Sequence, residues 1–214
     1  MTGLKLIAAP TVEPVTLDEA KLFAKIDLTD DDALITALIV AARQKAETYT
    51  HRAFVEQTWE WFIDGAPGLA SDDIDNLPRG WPWTLAYPGY GYIAVPRSPL
   101  ISVVSVKCYD LGDAETVWAA SNYVVDIHSE PGRILLASSR TWPSSLRPYN
   151  SILVRFTAGY GATAADVPDA IKMAIERMVA GGYEHRGDQV AGVAVARFDD
   201  GARSLLNPYR VMTL

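Results

Sequence analysis

The chain has 214 residues, 49% of them hydrophobic, and a formal net charge of −7. That length suits one domain, or one domain carrying an insertion, and it can bury well over half of its unfolded surface without a disulfide or metal staple. The composition excludes a wholly disordered chain, and an acidic balance with no basic run is a poor fit to non-specific DNA binding, which rests on clustered Lys and Arg.

The first residues, Met1 to Lys5, lack a charged n-region followed by a long apolar stretch, so no signal peptide is expected. No apolar run approaches the ~20 residues of a membrane span. The protein is therefore expected to be soluble and intracellular when made, with no membrane partner.

The first clear element starts at Thr16. Thr16-Leu17-Asp18-Glu19 has the form of a capping box, in which the threonine hydroxyl and the glutamate each satisfy an orphan amide at the helix start. The pattern predicts a helix over 16–26 with Leu17, Ala20, Phe23 and Ala24 on or near one face. Asp30-Asp31-Asp32 suits the positive N-terminal end of a second helix, predicted over 31–49. Leu34, Leu38 and Ala41 form one apolar line on it, and Ile35, Ile39, Ala42, Ala46 and Tyr49 the adjacent one. Arg43, Lys45 and Glu47 fall off the stripe. The short loop between the two helices predicts a helical hairpin.

The character changes near residue 54. Aromatic and β-branched runs predict strands at 58–63, 93–95, 103–109, 123–127, 133–136 and 152–158, separated by Pro, Gly, Asn and Asp clusters. Residues 57–158 thus read as a mainly antiparallel β insertion, whose pairing order the pattern does not give. Within it, Leu77-Pro78-Arg79-Gly80-Trp81-Pro82-Trp83 and Tyr87-Pro88-Gly89-Tyr90-Gly91-Tyr92 form a loop too rich in Pro and Gly for a regular helix.

Helix returns at Asp166-Val167-Pro168-Asp169, a start signal with Pro in the first turn. Ile171, Ala174, Ile175, Met178 and Val179 follow at helical spacing. Gly181-Gly182 is expected to stop this helix, although Tyr183 to Arg186 could extend it by a turn. Residues 187–202 are small and polar, and the chain ends on Leu205, Leu206, Tyr209, Met212 and Leu214. The resulting expectation is an α+β protein. It has a small helical-bundle core formed by 1–56 with 159–186, a β-rich insertion at 57–158 between the second and third long helices, and a flexible C-terminal docking tail at 187–214. An apolar terminus on a polar linker must dock on its own core, a neighbouring copy or a partner.

Candidates for chemistry are few. Gly159-Tyr160-Gly161-Ala162-Thr163-Ala164 matches a dinucleotide-binding pattern after a strand, but the mechanism needs the glycines to open straight into a helix, and the predicted helix waits until Pro168. Nucleotide binding at Gly159–Ala164 is the weakest of the alternatives. His51, His128 and His185 lie on separate elements without metal-ligand spacing. The acidic clusters lack the alternate-position pattern of a calcium loop. Cys108 is the only cysteine, so no intramolecular disulfide forms, and it sits in an alternating apolar stretch where a buried hydrophobe is the better reading than a nucleophile. No catalytic residue, metal site or cofactor is expected, and the chain is not read as an enzyme. The aromatic loop, with Trp81, Trp83, Tyr87, Tyr90 and Tyr92, suits a protein contact, a carbohydrate- or protein-binding module of a tail, or a cover for the β insertion.

The order of the motifs resembles the head–tail connector (adaptor) family of long-tailed phages and prophages. The resemblance rests on Pro14 to Lys21, Asp31 to Ile35, Ala41 to Glu47, Tyr49 to Phe54 and Gln57-Thr58-Trp59, then on Pro96 to Val103, Phe156 to Gly161, Val167 to Lys172, Tyr183 to Arg186 and Leu205 to Arg210. Residues 64–92 and 187–202 have no counterpart in it. The resemblance implies a structural virion protein that forms a homo-oligomeric ring, a dodecamer, at the neck under the portal at the capsid vertex. Such a ring presents a platform to the stopper or tail-completion protein, with DNA passing through its lumen without sequence-specific binding. It also implies synthesis in the bacterial host cytoplasm and a portal contact made by Leu205, Leu206, Pro208, Tyr209 and Arg210. Plain solubility accounts for the net charge; an acidic lumen that keeps DNA from sticking is a second account.

Overall fold

The computed structural model describes residues 3–65, 92–184 and 200–211. These divide into two compact units: one built of 3–9, 56–65 and 92–159, the other of 10–55, 160–184 and 200–211.

The second unit is helical. Helix α1 (Leu17–Ala24) begins at the predicted capping box: the Glu19 amide donates to Thr16 Oγ1 at 3.2 Å and the Thr16 amide to Glu19 Oε2 at 2.7 Å. It ends at Lys25, which adopts the left-handed conformation (φ 55°) and donates its amide to the Leu22 carbonyl. Helix α2 (Asp32–Thr50) and helix α3 (Asp169–Glu184) follow the expected periodicity, and a short helix α4 (Asp200–Leu206) runs into a 3-10 turn, Asn207–Tyr209. The core of this unit comprises Val15, Ala20, Ile35, Ile39, Ala42, Ala46, Phe54, Ile171, Ala174, Ile175 and Val179, with Ala202 and Leu206 from α4. Each large aliphatic group buried there contributes about 1.5–3 kcal/mol of transfer free energy.

Three details depart from the sequence pattern. Of the two apolar lines of α2, Ile35–Ile39–Ala42–Ala46 is buried, whereas Leu34 stays 37% exposed and Ala41 is exposed. On α1, Ala20 faces the core while Phe23 is 41% exposed, because eight residues bury one narrow stripe and Phe23 lies beyond its edge. Helix α3 does not stop at Gly181-Gly182 but runs to Glu184. A β-carbon on Gly182 would come within 3.1 Å of Leu38 Cδ2, so here the glycine serves close helix packing rather than termination. The Tyr183 hydroxyl then donates to Asp31 Oδ2 at 2.7 Å, tying the end of α3 to the start of α2.

The first unit is antiparallel β. Strands β1 (Gly3–Ala8), β2 (Gln57–Ile63), β8 (Ile152–Ala158), β4 (Leu100–Tyr109) and β5 (Glu115–Trp118) form one sheet in the order β1-β2-β8-β4-β5. Strands β3 (Tyr92–Ala94), β7 (Arg133–Leu136) and β6 (Tyr123–Asp126) form a second, in the order β3-β7-β6. β1 and β5 are absent from the sequence reading. β1 lies outside the expected insertion yet pairs with β2, Lys5 opposite Glu60. One face of the larger sheet is buried through Trp61, Ile63, Ile152, Val154, Phe156, Val106 and Cys108, and Leu153 is buried from the other face. The opposite face carries cross-strand polar pairs, with Glu60 opposite Arg155 and Ser102 Oγ 2.7 Å from Thr157 Oγ1. Trp118 stacks on Tyr123 and on Trp142, with ring centroids 5.4 and 4.7 Å apart.

Candidate interaction surface

Cys108 is buried, and desolvation pushes its thiol up to about 11, well away from a nucleophile's range. His51 caps the C-terminal end of α2 in the left-handed conformation, and the His128 amide donates to Asp126 Oδ1 at 2.9 Å in a turn after β6. Among the described residues no group of three or more His, Cys, Asp or Glu could hold a metal ion, and no helix is long and apolar enough to cross a membrane.

The geometry at 159–164 opposes a nucleotide. Strand β8 ends at Ala158, a 3-10 turn follows at Ala164–Asp166, and α3 starts only at Asp169. Asp166 accepts from the Thr163 amide at 2.9 Å and from its hydroxyl at 2.8 Å, which holds its carboxyl below the usual range. That carboxylate lies over Gly161, where an added β-carbon would come within 2.4 Å of it. The glycine therefore makes room for an anion of the chain itself, where a phosphate would need an open helix N-terminus.

The C-terminal residues are brought together on the helical unit. Leu206 is buried, Leu205 and Tyr209 are half-buried against the core, and Pro208 and Arg210 are exposed. The segment is fastened to the C-terminal end of α2. Tyr49 donates its hydroxyl to Asn207 Oδ1 at 2.5 Å, the Val211 amide donates to the Thr50 carbonyl at 3.0 Å, and Arg52 Nε donates to the Tyr209 carbonyl. The guanidiniums of Arg203 and Arg210 both lie over the Tyr49 ring, 5.9 and 5.5 Å from its centroid. Of the three destinations open to an apolar terminus, residues 200–211 take their own core. Of the aromatic loop, Trp81, Trp83, Tyr87 and Tyr90 lie outside the described residues; Tyr92 is half-buried in β3 with the Arg133 guanidinium 5.4 Å from its ring centroid.

Three features had no clear signal in the sequence. Arg43 and Glu47, placed off the apolar stripe of α2, are buried at 4% and 6% exposure. Arg43 Nε donates to Glu13 Oε2 at 2.7 Å and Nη1 to Glu47 Oε2 at 2.8 Å, while Glu47 Oε1 accepts from the Phe54 amide at 3.0 Å. Burial by itself lowers the guanidinium's pKa most, but the two carboxylates outweigh it and hold it raised. The i, i+4 spacing of Arg43 and Glu47 was visible; the third partner, Glu13, precedes the helix by a separation no periodicity reports. The second feature is the exposure of three apolar side chains, Leu22 (81%) and Phe23 on α1 and Leu28 (69%) in the loop after it. The third is an apolar groove of about 480 Å³ lined by Ala41, Lys45, Tyr49, Met178, Arg203 and Leu206 among others. It adjoins the anchored C-terminal segment.

Residues 14–82 match the family model of phage gp6-like head-tail connector proteins. The likeness inferred from motif order thus holds for the segment that carries α1, α2 and β2: the chain resembles the phage head–tail connector family. Among solved structures, a chain in the neck of an empty gene transfer agent (GTA) particle, computed with C6 symmetry, is similar over 99% of this chain and 97% of its own, with a TM-score of 0.73 at 18% identity. A chain in the virion of a native GTA particle matches over 99% and 96%, with a TM-score of 0.72 at 18% identity. One in the neck of a native GTA particle, computed with C12 symmetry, matches over 99% and 97%, with a TM-score of 0.68 at 19% identity. At these identities the likeness establishes the fold: a connector-like mixed α and β chain with antiparallel sheets. No curated protein matches the sequence.

Proposed function

We propose that the chain is a structural, non-enzymatic protein of the virion neck. It acts as a head–tail connector whose copies form a ring between the portal and the stopper or tail, with DNA passing through the lumen. The observation that carries this reading is the end-to-end fold likeness to neck chains, joined to the family match over 14–82. The two neck comparisons were computed with C6 and C12 symmetry, which favours a cyclic assembly of twelve or a divisor of it. The net charge of −7 suits a conduit that DNA must traverse without adhering.

In the portal contact proposed for Leu205, Leu206, Pro208, Tyr209 and Arg210, the exposed Pro208 and Arg210 supply the reachable side chains, while Leu206 secures the segment from below. Electron microscopy of the purified protein, with and without its portal, tests the reading. A ring with a central hole in either sample is expected; a protein that stays monomeric in both overturns it. At the finer level, Arg210→Glu should weaken portal capture in a pull-down while lowering the thermal unfolding midpoint only slightly, by the loss of its contact with the Tyr49 ring.

A further inference from the structure

The larger sheet ends on two open edges. Its order, β1-β2-β8-β4-β5, leaves the outer sides of β1 and β5 without a strand partner among the described residues. Exposure agrees. Every residue of β1 except Leu4 is exposed, with Leu6 at 40%, and so are Glu115, Thr116 and Val117 of β5, with Val117 at 61%. Each edge therefore presents backbone amides and carbonyls beside exposed apolar side chains, the arrangement that recruits another strand. Neither strand holds a proline, which would remove an amide from the ladder. The usable lengths also match. A bulge between Leu6 and Ala8 breaks β1, so its regular run is residues 3–6, and β5 is the four-residue strand Glu115–Trp118.

We propose that β5 of one copy pairs with β1 of the next, so that the sheets of neighbouring copies join edge to edge around the ring. The inference rests on the ring reading above and names the contact that builds it. Cyclic symmetry requires a heterologous contact, in which one patch meets a different patch on the neighbour. The two ends of one sheet, unlike in sequence and on opposite sides of it, supply such a pair. Direction follows from the topology. Each step from β1 through β2, β8 and β4 to β5 is antiparallel, so β1 and β5 run the same way. A small rotation between neighbours keeps that direction, and the joining pair is parallel. The faces agree too. Gly3, Phe62, Leu153, Lys107 and Val117 form one row across the sheet, and Lys5, two residues beyond Gly3, shares their face. Setting residues 3–6 beside 115–118 brings Lys5 next to Val117 on that face and Leu6 next to Trp118 on the other. The half-exposed Leu6 is then covered. A two-fold pairing of β1 with β1 would be antiparallel and would close as a dimer, not a ring.

The test uses the full-length double variant Lys5→Cys/Val117→Cys, with and without its portal, treated with a short bismaleimide. A denaturing gel reads covalent species, and electron microscopy of the same samples reads rings. Cys108 is buried and present throughout, so the single variants Lys5→Cys and Val117→Cys control for it. Lys5→Cys/Val124→Cys, whose second thiol lies on exposed β6, controls for chance encounters. The double variant is expected to give a ladder of covalent oligomers that ends at the ring's copy number. The single variants and the β6 control should run as monomers. Each variant is first shown to unfold at the wild-type midpoint. If Lys5→Cys does not, Gly3→Cys replaces it, because a β-carbon at Gly3 meets Phe62 Cδ2 at an ordinary 3.5 Å. The proposal is overturned if the double variant gives no ladder, if either single variant links into dimers, if the β6 control links equally well, or if the thiols link to the portal in place of a second copy. The gel decides the edge contact and the microscopy decides the ring. Rings without a ladder sink the edge contact alone, and a ladder without rings sinks the connector reading alone.

Discussion

The two units treat charge in opposite ways. The helical unit takes an arginine and a glutamate into its interior, where Arg43 is held by Glu13 and Glu47, and Glu47 in turn accepts from the Phe54 amide. The β unit pairs Lys107 with Glu115 at 2.6 Å, with both side chains partly in water. The bond lengths are nearly the same, yet the energetics differ. A buried pair contributes little net stability when intact, because two desolvation penalties oppose the attraction, but removing one partner leaves a charge stranded. An exposed pair is screened and its partners can always return to water. What the buried cluster contributes is direction: it fixes the extended lead-in before α1, the middle of α2 and the chain after it in one arrangement that an apolar core would not enforce.

The sharpest test of this contrast is to remove one acid from each unit. Glu47→Ala should destabilise the helical unit by about 3–5 kcal/mol, seen as a large drop in the thermal unfolding midpoint, whereas Glu115→Ala, at a solvent-screened pair, should barely move it. Similar losses for the two would end the comparison. Next in size, Leu206→Ala removes the group that seats α4 in the core and should cost about 2–5 kcal/mol. Because it loosens the C-terminal anchor, limited proteolysis near residue 200 should accelerate in parallel; unfolding without that acceleration would mean that α4 does not rest on this one side chain. A smaller loss, about 0.5–1.5 kcal/mol, is expected for Tyr49→Phe, which deletes the hydroxyl bond to Asn207 and keeps the ring under Arg203 and Arg210.

Two predictions carry a pH signature. The Thr16 amide and hydroxyl hold Glu19 below its ordinary pKa. A carboxyl depressed by folding contributes stability that is full above its unfolded pKa and is lost as pH falls through the folded one. Thr16→Ala should therefore cost about 1 kcal/mol at neutral pH, and the difference from wild type should shrink on acidification below the carboxylate range. In the β unit, the raised Cys108 thiol should leave the native protein inert to a disulfide reagent at pH 8, with full reaction after unfolding. Rapid reaction of the folded protein would mean that the inner face of the sheet opens readily.

Local chemistry made part of this legible in advance. Thr16 to Glu19 announced the helix start because both partners of a capping box lie within one turn, and the 3.6-residue spacing of Ile171, Ala174, Ile175 and Val179 announced the buried face of α3. Strands at 133–136 and 152–158 were readable because β-branched and aliphatic runs there end in turn residues. β1 was not, since six ordinary residues become a strand only through pairing with β2, some fifty positions later. Helix α4 was equally hidden: seven residues are too few to be helical alone and depend on the packing of Ala202 and Leu206.

The candidate surface divides the same way. The order of weak motifs carried the family likeness, and the apolar content of 205–210 flagged a segment that must dock. Where it docks was a tertiary decision, made by Tyr49, Thr50 and Arg52 at the end of a helix more than 150 residues upstream. So was the burial of Arg43, whose neighbours in sequence gave no sign of Glu13. The sequence by itself determined which segments could be helix or strand and which faces had to leave water, because propensity, capping and periodicity are local. Which polar groups could follow them inside, and where the end of the chain would settle, only the tertiary structure decided. Both depend on partners that the chain brings together from a distance.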